Sequence, residues 1–169
     1  MDTEDLRRSF RPKEIAILFV GESPPANGTF FYKANSQVFH YMLKAFMLGG
    51  PDIGRDEFLT HFNLLGCYLD DLVLKPVNKT TPSERKRARR EGVVSLGARI
   101  RDLSPRHVVA IGRSIREEVK EAVALSGTKA TFDCVSFPGT GRQREFLDDM
   151  AAVLPILLPN NNLSALPPD

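Results

Sequence analysis

Four short apolar runs punctuate the chain, and helical periodicity fills the intervals between them. Residues 14–20, 67–74, 107–111 and 131–137 are rich in Val, Ile, Leu and Phe and read as strands. The first contains Ile15 to Val20 without a polar position, the pattern of a strand covered on both faces. Residues 36–48 put Val38, Tyr41, Met42, Ala45 and Phe46 on one helical face. A shorter helix is predicted over 55–63, between Gly54 and Gly66. A third starts at 82 or 83 and runs to 102, with Thr81 or Ser83 to cap it and Pro82 or Glu84 in its first turn. A fourth spans 114–125 and stops at Gly127; a fifth spans 143–154 and stops at Pro155. Strands alternating with helices predict βαβ crossovers. The expected fold class is α/β, a three-layer α/β/α sandwich around a short, mostly parallel four-stranded sheet.

Composition narrows the class. A chain of 169 residues suits one domain, expected over residues 1–158, with residues 159–169 as a flexible tail rich in Asn and Pro. Hydrophobic residues at 42% exclude a disordered chain. A net charge of +2 means that any contact with nucleic acid depends on local patches. Cys67 and Cys134 lie in apolar strand-like runs and read as buried free thiols in a reducing compartment. Two cysteines fall short of the roughly four ligands of an iron–sulfur cluster, and no Cys/His metal pattern is present, so neither cofactor nor metal is expected. No apolar run nears the roughly twenty residues of a membrane span, and the first ten residues lack a secretion signal. The expectation is a cytoplasmic monomer without a membrane partner.

The candidate chemistry gathers after the strands, where open α/β sheets bind ligands. The first run breaks at Gly21 into Glu22, two prolines, Gly28 and the rings Phe30, Phe31 and Tyr32. Glu22 is placed to orient a water or to stabilise a developing cation; a purely structural role, accepting amides of its own turn, is the competing reading. Phe30 or Phe31 is placed to stack on a planar base, a contact of roughly 1–3 kcal/mol; core filling is the alternative for each. Asp70 and Asp71 interrupt the second strand. Alternation sends one to each face, one toward an arginine or lysine of a facing helix, the other toward a ligand. An ionised Asp only accepts hydrogen bonds, so it favours an amine or ring N–H over a carbonyl edge. Lys75 and Lys79 follow this strand. The run Arg85, Lys86, Arg87, Arg89, Arg90 either holds a phosphate backbone or is a solvated helix face, and its members do not share one stripe. Gly139, Gly141, Arg142 and Arg144 stand where the last loop meets a helix start, an arrangement that favours an anion such as phosphate. His40, His61 and His107 fall inside predicted elements and read as structural.

In this order the segments GESPPANGTFFY, CYLDDLVLKPVNK, HVVAIGRS and VSFPGTGR resemble the motifs of the uracil-DNA glycosylase superfamily. The resemblance covers roughly Ile15 to Met150. It implies the three-layer fold, a base flipped into the pocket, and hydrolysis of its N-glycosidic bond. By the same resemblance Glu22 stands at the position of the acid, Phe30 or Phe31 at the stacking ring, and Asp71 where the family has a base-reading Asn. Phe137 takes the place of a final-loop histidine. Lys75, Lys79, Gly139, Gly141, Arg142 and Arg144 are then the DNA-phosphate contacts. Three readings remain open: a glycosylase acting on uracil or another base, a non-catalytic protein that binds nucleic acid or a nucleotide, and an unrelated α/β protein such as a small hydrolase or nucleotide-binding module.

Overall fold

A computed structural model of the protein describes residues 1–48 and 50–159. The tail expected at 159–169 therefore lies, apart from its first residue, outside the described residues. The strands are β1 (Ile17–Gly21), β2 (Cys67–Asp71), β3 (His107–Ile111) and β4 (Thr131–Val135). The helices are α1 (Thr3–Ser9), α2 (Gln37–Leu48), α3 (Arg55–Leu64), α4 (Pro82–Leu103), α5 (Arg116–Ser126) and α6 (Gln143–Leu157). The sheet order is β2-β1-β3-β4, and all three pairings are parallel.

This order explains the layers. The chain moves outward from β1 to β2 through α2 and α3, then back across β1 to β3 through α4, and on to β4 through α5. Right-handed crossovers place connections running in opposite directions on opposite faces of the sheet. Phe19 of β1 accordingly stacks on Phe62 of α3, with ring centroids 5.8 Å apart. Asp70, one position out of phase, is met by Arg99 of α4. Ile17, Leu18, Phe19 and Val20 of the central β1 are fully buried, as a strand with helices on both faces requires.

Local signals fix the long α4. Thr81 accepts the Glu84 amide, Glu84 reaches back to the Thr81 amide at 3.0 Å, and Pro82 occupies the first turn. Several expectations need correction. The strand expected over 67–74 ends at Asp71, and the one over 131–137 ends at Val135. The helix expected to stop at Pro155 continues to Leu157, because Leu154 and Leu157 are buried and anchor the final turn. Residues 113–115 form a tight 3₁₀ turn before α5. Cys67 is buried, whereas Cys134 is only half-buried. The seven-residue α1 has no counterpart in the strand-and-helix reading. Asp2 caps it, and Glu4 and Asp5 sit in its first turn.

Candidate functional site

β1 and β2 end side by side, with Gly21 paired to Asp71. Beyond these ends the chain encloses a cavity of about 480 Å³, within the roughly 300–1,000 Å³ usual for small-molecule sites. Glu22, Phe30, Phe31 and Asp71 all line it, together with Leu69, Asn78, Arg85 and Phe137. Gly21 is required by this arrangement: a Cβ there would come within 2.6 Å of Asp71 Oδ1.

Glu22 stands at the mouth. Arg85 Nε donates to both of its oxygens at 3.0 Å, and the guanidinium groups of Arg85 and Arg89 form ion pairs with it. Burial alone would raise the Glu22 carboxyl, but the hydrogen bonds from Arg85 and Arg89 outweigh it and hold the group below the ordinary glutamate value. Glu22 is therefore an ionised, anchored carboxylate rather than one poised to collect a proton at neutral pH. The basic run on α4 divides accordingly. Arg85 and Arg89, four residues apart, turn to Glu22. Arg90 pairs with Glu121 of α5 at 2.7 Å, and Lys86 and Arg87 stand exposed.

Asp71 forms the floor. Arg7 of α1 donates to its Oδ2 at 2.8 Å and to the Leu69 carbonyl at 3.0 Å, and lies 3.7 Å from Asp70. Burial pushes the Asp71 carboxyl above its ordinary value, and the Arg7 guanidinium pulls it part of the way back. Asp71 Oδ1 has no hydrogen-bond partner among the described residues. Asp70 points to the opposite face, where Arg99 Nε donates to it at 2.9 Å. Both members of the acidic pair are thus compensated, as burial demands.

The rings differ in their surroundings. Residues 31–33 form a 3₁₀ turn, so strand-like alternation does not govern them. Phe31 is packed among Tyr32, Phe39 and Phe62, with centroids 5.0 to 5.8 Å away. Phe30 has the Arg7 guanidinium over its ring at 5.1 Å and the edge of Tyr32 at 5.7 Å. The Tyr32 hydroxyl accepts the Leu69 amide and donates to the Leu69 carbonyl, at 2.7 and 3.0 Å. Phe137 is 44% exposed at the cavity wall. Its ring folds back over Gly139, where a Cβ would meet it at 2.6 Å.

The remaining candidates stand outside the cavity wall. Lys75 and Lys79 are exposed on either side of Asn78, which does line it. Gly139 is buried, and its amide is used by the Phe137 carbonyl, while the Arg142 amide is used by Gly139. Gly141 and Arg144 are exposed, and Arg142 lies 3.8 Å from Glu145. Reasoning from the sequence missed Arg7 and read Arg85 and Arg89 as phosphate contacts or a solvated face, not as partners of Glu22. The i, i+4 spacing of Arg85 and Arg89 was the available signal for these two. The capped start of α1 was the signal for Arg7.

A short all-parallel sheet between helices, with a carboxylate and aromatic rings lining a cavity at its strand ends, defines an α/β fold. The chain belongs to the uracil DNA glycosylase superfamily, whose family model matches residues 8–163. No curated protein matches the chain significantly. Among the described residues, no helix is long and apolar enough to cross a membrane, and no three His, Cys, Asp or Glu side chains gather as a metal site.

Proposed function

We propose that the chain is a DNA base-excision glycosylase that hydrolyses the N-glycosidic bond of a base flipped out of the strand. The observation that carries this reading is that Glu22, Phe30 and Asp71 line one common cavity, in a chain of this superfamily. Flipping is required because the bond is out of reach inside a duplex. Phe30 takes the face of the base. Phe31, wedged among three rings, holds the wall behind it. Asp71 accepts from the base edge through Oδ1. Glu22 keeps its negative charge beside the sugar, where positive charge develops as the bond breaks, and orients the attacking water. Lys75 and Lys79 lie close in the chain to Asn78, and the loop of Gly139, Gly141, Arg142 and Arg144 follows Phe137; Asn78 and Phe137 both line the cavity. These two segments are the proposed backbone contacts, and residues 1–158 act as one domain with DNA as its partner.

The test is base release from oligonucleotides carrying uracil, hypoxanthine, xanthine or alkylated bases, with enzyme in excess. Release of any of these that disappears in Glu22→Gln supports the reading. No release from any substrate counts against it.

One observation favours a second reading. Both oxygens of Glu22 are already engaged by Arg85 and Arg89, which suits a protein that binds nucleic acid or a nucleotide without cleaving it. Steeply salt-dependent DNA affinity with no turnover separates this reading from the first.

A further inference from the structure

The cavity is furnished for one kind of leaving group. Among the described residues its wall holds no histidine and no lysine, and its one arginine, Arg85, is tied to Glu22. The donors that remain are neutral, among them the side-chain amides of Asn27, Asn35 and Asn78, each of which already accepts a backbone N–H at its carbonyl oxygen. On the floor, Arg7 occupies Asp71 Oδ2, leaving Oδ1 as a fixed acceptor beside the Cβ-less Gly21. Phe30 adds an aromatic ring, with the Arg7 guanidinium already over it at 5.1 Å. An acceptor and a ring, with no unpaired cation, suit a ligand that carries N–H donors and positive charge.

Leaving-group chemistry connects these features. Uracil departs from a neutral nucleoside with negative charge on its carbonyl edge. It therefore needs a proton donor or a cation there, and a carboxylate at that edge opposes it. An N-alkylated purine nucleoside is already cationic, so its base departs neutral.

Resting on the glycosylase reading above, we propose that the preferred substrate is an N-alkylated, cationic purine in DNA, gripped by Asp71 at its amino edge and by Phe30 on its face. Water adds to C1′ while the C1′–N bond breaks. The bonding pair passes into the purine ring and cancels its charge, and the proton lost by the water goes to solvent. The positive charge of the nucleoside thus reappears as the released proton, and no co-reactant is needed. Arg7 acts as a positioning residue: by holding one Asp71 oxygen it fixes where the other one points.

Single-turnover base release from duplexes bearing one N3-methyladenine, N7-methylguanine, uracil or hypoxanthine tests this, with spontaneous depurination subtracted. The wild-type protein is expected to release a methylated purine at least about tenfold faster than uracil. Asp71→Asn, whose amide can also donate, is expected to narrow or invert that ratio. Release of uracil or hypoxanthine without release of methylated purines overturns this inference and leaves the glycosylase reading standing. Release of no base from any duplex overturns both. A methylated-purine preference unchanged in a folded Asp71→Asn protein removes Asp71 from the proposal and overturns it as stated.

Discussion

Glu22 and Asp71 face one cavity from adjacent strands, and each is held by arginine, yet the two pairs are built differently. The Asp71–Arg7 pair is sealed: its side chains are 7% and 3% exposed. The Glu22–Arg85 pair stands at the opening, with the arginine 39% exposed. Burial pushes Asp71 up, while the hydrogen bonds of two arginines bring Glu22 down. The difference shows that one motif, carboxylate plus arginine, serves two purposes. Where water is excluded it fixes geometry and makes stability depend on both partners. Where water enters it keeps a charge available to chemistry at little cost to the fold.

The sharpest way to break this contrast is Arg7→Ala. It leaves Asp71 charged and alone in the interior and frees the Leu69 carbonyl, so a loss of about 3–5 kcal/mol is expected in urea denaturation. Replacing Arg7 and Asp71 together by leucine should recover much of that loss. A loss below about 1 kcal/mol for Arg7→Ala would mean that the pair is not sealed. Next is Glu22→Gln, expected to slow base release by about 10²–10³ in single-turnover assays while denaturation shifts little. Gly21→Ala should follow, costing about 1–3 kcal/mol by overpacking against the Asp71 carboxylate and weakening base binding in the same protein. Arg85→Gln should change stability by no more than about 1 kcal/mol, because Arg85 is partly exposed and Arg89 still pairs with Glu22.

The smallest effect is in the pH dependence, where the two acids act with opposite sign. The Glu22 carboxyl is lowered on folding, so its stabilisation is full above the unfolded glutamate value of 4.5 and is lost as pH falls through the lower folded value. The Asp71 carboxyl is raised on folding, so its contribution grows as pH falls from above its folded value toward the unfolded value of 3.8. Glu22→Gln should therefore flatten the acid-side loss of stability, and Asp71→Asn should steepen it. Denaturation midpoints measured on both sides of that range would show whether the two slopes move apart.

Much of the fold could be read in the sequence because its signals are local. The buried run of β1, the Thr81–Pro82–Glu84 start of α4 and the Gly127 stop of α5 each lie within a few residues of what they determine. Pro155 misled because the helix past it is held by burial of Leu157, a tertiary contact. The same division runs through the site. Glu22 directly follows β1 and Asp71 ends β2, so strand order alone suggested that these two meet at one end of the sheet. Their arginine partners are 63 to 67 positions away in sequence. The i, i+4 spacing puts Arg85 and Arg89 on one side of α4, but only the packing of α4 across the sheet turns that side to Glu22. Arg7 was hidden for a similar reason, since a seven-residue helix gains its order from the surface it docks on.

β2 is the outermost strand of the sheet on its side, and the Leu69 amide and carbonyl that point outward are taken by the Tyr32 hydroxyl and Arg7. An incoming strand from another molecule therefore finds no free ladder at the middle of this edge. The loop that shapes the pocket, together with Arg7 of α1, thus also covers this stretch of the sheet edge. Insolubility after Tyr32 or Arg7 is replaced would then report an uncovered sheet margin, and the soluble yield of such variants is a property to measure before their activity is judged.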